Sequence, residues 1–290
     1  MMGLILELND SMIRNLLEVV ANDYATYKTP QSWTGDSVHP RDINALREQA
    51  AANSQWDAGK IRLNLWERWL SGDKTTDIRT FSSGPHKVIV LGKTPVEPPP
   101  TSWIRICRLL SPDKPVRIVW FASDEKRVPP PVGEEVKPQH INGGYTERCN
   151  SQSVVIYRKE EATRVLIHEL LHASCTDPVT TTTTTTTTLP EVEADTEAWA
   201  EIVLTAIKAR GSQQEFNRLW AIQAQYAMNQ AATAATLYKV KTQSDYGWRY
   251  LTGRLESFKK FGLPLPSQST HINEPLKSLR LTHEKLEPDF

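Results

Sequence analysis

Residues 164–175 read RVLIHELLHASC. His168, Glu169 and His172 stand inside a run whose other letters, Leu166, Ile167, Leu170, Leu171 and Ala173, fill most of the arc of a helix. A helix of this kind is buried on most sides. A buried polar group without a partner costs several kcal/mol, roughly 2–7 on transfer scales. Two physical solutions exist: a metal ion held by the imidazoles, or core histidines satisfied by hydrogen bonds. Residues four apart on a helix are neighbours, with Cβ atoms about 5–6 Å apart. His168 and His172 can therefore both reach one zinc ion at ~2.0–2.1 Å. Glu169 lies ~100° round the helix from His168, where it can hold a water molecule rather than act as a ligand. The spacing is HExxH, the helix-borne zinc pattern in which the glutamate is the general base.

Reading outward, the stretch follows a strand. SVVIYR (153–158) is a β-branched run, and the acidic residues that come next suit a helix N-terminus. Further upstream, HKVIVLG (86–92) and PVRIVWFAS (115–123) are strand candidates, with a helix at 102–111 between them. The proline-rich RVPPPVGEEVKPQ (127–139) cannot be a central strand. HINGGYTE (140–147) carries two glycines, which favour a bulge or the close approach of another backbone. Helical periodicity runs through 1–28 and 40–70, and Trp66 and Trp69 are expected to pack on a neighbouring domain. Downstream lie nine consecutive threonines in a loop at 177–190. Helices follow over 191–211, 212–235 and 244–262, then an extended or loosely docked tail. The expected division is a helical N-terminal region at 1–80, a central domain at 81–262 and the tail at 263–290.

After Pro190 the sequence EVEADTEAWAE places Glu193 and Glu197 one helical turn apart on one face, which Ala200 and Leu204 continue. A buried carboxylate needs a cation or donors. Glu193 can supply a third ligand through oxygen, and Glu197 can accept a hydrogen bond from a ligand histidine. An ordinary solvated first helical turn is the alternative. HELLH followed by LPEVEADTEAWAE resembles the gluzincin metallopeptidases, whose pattern is HExxH and then a helix bearing a ligand Glu. The asparagine that precedes that Glu in the family is Val192 here. The metzincin pattern HExxHxxGxxH does not fit, since its Gly and His positions are Cys175 and Pro178. Residues 140–205 also look like zincins encoded by large DNA viruses.

The resemblance implies a zincin-like α+β fold. A small mixed sheet packs on the HExxH helix, with helical N-terminal and C-terminal parts. It implies zinc bound by His168, His172 and Glu193, Glu169 as general base, and Glu197 supporting a ligand. It also implies a substrate strand at Gly143, Gly144 and Tyr145. A Tyr or His donor is expected from the family, with Tyr250 or Tyr246 as candidates, of which Tyr250 is preferred. The expected activity is hydrolysis of peptide bonds in a peptide or protein substrate. The open alternatives are a zinc hydrolase of a non-peptide amide, a binding protein on the same scaffold, and a metal-free helical protein. In the binding-protein alternative, the tryptophan-bearing helices at 40–70 and 199–220 contact the partner.

Composition narrows these choices. Lys plus Arg equals Asp plus Glu, 34 each among 290 residues, which argues against a general nucleic-acid binder. No run of ~18 apolar residues is present, so no transmembrane helix is expected. The N-terminus has no basic region preceding its apolar letters and reads as an amphipathic helix, not a signal peptide. Cys107, Cys149 and Cys175 show no disulfide-framework spacing and are expected as free thiols in a reducing, cytoplasmic setting.

Overall fold

Six runs become strands: β1 (Thr34–Asp36), β2 (Thr76–Ser83), β3 (His86–Lys93), β4 (Arg117–Ala122), β5 (Gly144–Tyr145) and β6 (Val154–Ile156), of which β3, β4 and β6 are rich in apolar, β-branched residues. The structure is a computed structural model that describes residues 10–29, 31–176, 188–270 and 274–286. Among these residues the strands form one mixed sheet in the order β1-β2-β3-β4-β6-β5. The central strands β3, β4 and β6 run parallel, and β2 and β5 flank them antiparallel. Val88, Ile89, Val90 and Leu91 are all 1% exposed or less, as expected for a parallel strand covered on both faces.

The helices among the described residues are α1 (Asp10–Thr26), α2 (Pro40–Ala51), α3 (Ile61–Leu70), α4 (Ser102–Leu110), α5 (Pro138–Ile141), α6 (Ala162–Ala173), α7 (Leu189–Lys208), α8 (Gln213–Leu237) and α9 (Thr252–Lys260). The chain is therefore an α+β protein of two compact units. Among the described residues, one takes in residues 27–126 and 142–175, the other α1, residues 127–141, residue 176, and residues 188–270 and 274–286.

In the sheet unit, Ile89, Leu91, Val119, Phe121 and Val155 form a core with Leu46 of α2 and with Ile61, Leu65 and Trp66 of α3. Trp69 packs against the same core, its ring centroid 5.0 Å from that of Trp66. Alternate strand residues point to the opposite face. There Trp120 meets Trp103 of α4 at 4.9 Å, and the Trp103 indole donates to Thr163 of α6 at 2.9 Å.

The helical unit has its own core, in which Ala194, Ala234, Tyr238, Trp248, Tyr250, Leu279 and Leu281 meet. Gly211 sits at φ +77°, a conformation that favours glycine. A Cβ there would lie 2.4 Å from the Leu17 carbonyl oxygen, so α1 can approach the α7–α8 turn only because this residue is glycine.

Several expectations differ from what is observed. The periodicity at 40–70 is two helices, not one. Asp57 accepts hydrogen bonds from the amides of Ile61 and Arg62 and starts α3 afresh. Strands β1 and β2 fall in the region expected to be helical. They share a sheet with β3, so a boundary at residue 80 does not separate them. The expected helix at 244–262 begins with a short 3₁₀ turn, Tyr246–Trp248, and continues as α9. The tail is docked between residues 276 and 286, with Leu279 and Leu281 buried and the Leu281 carbonyl accepting from Gln223 and Arg254. The threonine run up to residue 187 and the first nine residues lie outside the described residues. Among the described residues, no helix is long and apolar enough to cross a membrane.

Candidate metal centre

Helix α6 carries the HELLH stretch. His168 and Glu169 are buried, 6% and 4% exposed, and His172 is half-buried. The two imidazoles meet nearly edge to face, with ring centroids 4.7 Å apart. Their Nε2 atoms are 3.1 Å apart. Two zinc–nitrogen bonds placed end to end would span about 4 Å, so one cation can touch both nitrogens. Without a cation, the same separation suits one N–H···N hydrogen bond between neutral rings.

The C-terminal end of α6 is fixed by a feature absent from the sequence reading. Cys149 and Cys175 are joined by a disulfide, with Cα atoms 4.8 Å apart. This corrects the expectation of three free thiols and removes the ground on which a reducing compartment was expected. The amides of Cys149 and Cys175 both donate to the His172 carbonyl, at 3.0 and 3.1 Å. Cys107 is free and buried, and burial pushes its thiol up to about 12.

Strand β5 ends the order of described strands, beside β6. The carbonyl of Gly143, just before it, accepts from the Tyr157 amide at 2.8 Å. A Cβ on Gly144 would lie 2.6 Å from Val165 Cγ1, 2.8 Å from the Val155 carbonyl oxygen and 2.9 Å from Glu169 Oε1. Only glycine lets the strand lie this close to the Glu169 carboxylate. Tyr145 turns to the other face and packs against the core that includes α2 and α3. Its hydroxyl donates to Gln49 Oε1 at 2.6 Å and accepts from Arg62. Arg62 pairs with Asp57 at 2.9 Å, and both side chains are 2% exposed. Burial pushes the Tyr145 hydroxyl up to about 12, with Arg62 opposing and Asp57 and Glu169 adding to the shift.

Helix α7 begins at a capping box. The Thr188 hydroxyl accepts from the Glu191 amide, and the Thr188 amide donates to the Glu191 carboxylate. Pro190 occupies the first turn, where a missing N–H costs nothing. Glu193 follows at the start of the second turn and is half-buried. Tyr250 lies within electrostatic reach of Glu193. Its hydroxyl is 3.2 Å from that of Tyr246. Burial first, then Tyr246 and Glu193, raise the Tyr250 hydroxyl well above 10, so it keeps its proton throughout the neutral range.

Glu197 is buried, 3% exposed, one turn further on. Glu201 continues the same face and was not singled out in the sequence. It is 1% exposed, pairs with Arg254 and accepts from Gln223 at 2.7 Å. The i, i+4, i+8 spacing of Glu193, Glu197 and Glu201 is the signal that could have found it. His140 accepts from the Lys137 amide through Nδ1 at 3.0 Å.

His168, His172 and Glu193 each offer one ligand atom, and these three atoms all lie within 4.8 Å of one another. The donor set, two imidazole nitrogens and one carboxylate oxygen, suits zinc among common divalent ions and is one that could hold a metal. Comparisons with models of protein families, with curated proteins and with solved structures find no match.

Proposed function

We propose that this chain is a zinc-dependent metallopeptidase, with His168, His172 and Glu193 as ligands and Glu169 as general base. The observation that carries the reading is the three-residue group with ligand atoms within 4.8 Å. Glu169 sits on the same helix, beside a strand at the sheet edge. Three protein ligands on a tetrahedral ion leave one position open, the arrangement of a catalytic rather than a structural zinc. A cation held there would lower the pKa of water and polarise a carbonyl.

The chain's own groups supply the rest. Glu169 takes the proton of the attacking water and passes it to the leaving amine. Its burial limits competition from solvent, and Gly144, which has no Cβ, lies against its Oε1 at the β5 strand. Tyr250, protonated across the neutral range, donates a hydrogen bond to the oxygen on which negative charge develops. Glu197 orients a ligand, as carboxylates around metal sites do. Strand β5 favours a peptide over a small amide, because a strand edge recognises an extended backbone.

Metal analysis of the purified protein supplied with zinc tests this reading. About one zinc per chain is expected, with its loss in His168→Ala and in Glu193→Gln. A wild-type protein that stays metal-free in excess zinc overturns the proposal. Zinc-loaded protein that cleaves small amides but no peptide turns it toward the non-peptide hydrolase.

A further inference from the structure

We propose that a cavity beside β5 is a subsite for an uncharged aromatic side chain of a peptide; this rests on the peptidase reading and names its substrate class. The cavity lies within the sheet unit and has a volume of about 570 Å³. It is lined by Ala52, Asn53, Ser54, Gln55, Trp56 and Tyr145. This volume lies within the ~300–1,000 Å³ range of sites that enclose small organic groups.

Strand β5 connects the cavity to the reaction centre. Gly144 faces the Glu169 carboxylate, and the next residue, Tyr145, faces the opposite side and lines the cavity. An extended chain laid along the β5 edge has the same two-residue period. When one of its side chains lies on the Glu169 face, its neighbour lies on the cavity face.

The lining chemistry selects the occupant. None of the six residues carries a charge, since burial holds the Tyr145 hydroxyl neutral. The cation nearest to Tyr145 is already engaged. Arg62 bonds to Asp57, to the Gln49 and Ala52 carbonyls and to the Tyr145 hydroxyl. A charged side chain entering the cavity would lose water without gaining a counter-charge. The Trp56 indole and the Tyr145 phenol instead offer two ring systems to a third ring. Asn53, Ser54 and Gln55 supply neutral donors and acceptors for a phenolic hydroxyl at its rim.

The test uses full-length, metal-free protein and N-acetyl-4-fluorophenylalaninamide, with binding read from fluorine NMR line broadening. N-acetyl-phenylalaninamide should displace the probe, and the corresponding glutamate and lysine amides should not. Trp56→Ala should weaken binding about tenfold. Asn53→Arg, at an exposed position, should preserve the fold and shift preference toward the glutamate amide. Equal displacement by all three amides, or binding indifferent to both substitutions, overturns the subsite. A second arm profiles cleavage of a peptide library by the zinc-loaded protein. A protein that binds the probe as expected but cleaves no peptide supports the subsite and refutes the peptidase reading. Cleavage with no preference for aromatic residues, unaltered in Trp56→Ala, refutes the subsite and leaves the peptidase reading intact.

Discussion

At the scale of single residues, Glu169 and Gly144 bear most directly on the proposed chemistry. Glu169→Gln keeps the size of the side chain but removes the proposed base. Zinc content should be unchanged, and kcat on a cleavable peptide should fall by roughly 10²–10⁴-fold, the usual contribution of general acid–base catalysis. Turnover at the wild-type rate would show that the proton goes elsewhere. Gly144→Ala puts a methyl 2.6 Å from Val165 Cγ1 and 2.9 Å from Glu169 Oε1. Overpacking at a site this tight costs ~1–3 kcal/mol. Both the denaturation midpoint and kcat/KM should drop; unchanged values of both would mean that β5 is free to shift away. The HELLH spacing and the downstream Glu193 were legible because each is a local pattern on a helix. The surroundings of Tyr145 were not. Its partners Arg62 and Gln49 lie 83 and 96 residues away in sequence, and no local periodicity links them.

At the scale of elements, the C-terminal end of α6 is held from outside the helix. The disulfide closes a loop across a sequence separation of 26 residues. Loop-closure entropy for a ring of that size corresponds to about 3.5 kcal/mol of stabilisation. Both half-cystines are exposed, so a phosphine reductant can reach them. Cys149→Ser with Cys175→Ser should lower Tm by several degrees. Reduction should lower the wild-type Tm by a similar amount and leave the double variant unmoved. A reductant effect of equal size in the variant would place the sensitivity elsewhere. Two half-cystines 26 residues apart, with a third cysteine in the chain, do not specify a pairing in one dimension. The missed strand β2 has a comparable cause. TDIRTFSS alternates buried and exposed positions only weakly, and its register is set by antiparallel pairing with β3 along its whole length. Where an element declares its own period, as α6 and α7 do, sequence suffices; where a partner confers the structure, it does not.

At the scale of the whole molecule, each unit is closed by polar groups in its interior as well as by its apolar core. In the helical unit, Arg254, Glu201, Gln223 and Gln230 form a buried network that holds the Leu281 and Arg280 carbonyls and so docks the tail. The proline-rich composition of that tail suggested looseness because the network that docks it is drawn from α7, α8 and α9. Each unit also uses a histidine as a backbone acceptor. His86 accepts from the Val116 amide at 3.3 Å, and His283 accepts from the Lys285 amide at 3.2 Å, both through Nδ1. Burial, followed by Arg108, depresses the His86 imidazole below 6.5; burial also depresses His283, opposed by Glu284. Below 6.5 the unfolded chain therefore binds more protons than the folded one at these sites. Their contribution to stability is complete above that value and is lost as the pH falls toward the folded-state values. Urea denaturation of metal-free protein at pH 7.5 and 5.5 should show lower stability at the acid value. His86→Gln with His283→Gln should flatten the difference, because a carboxamide accepts the same amide and does not titrate in this range. A slope as steep in the double variant as in the wild type would assign the pH sensitivity to other groups.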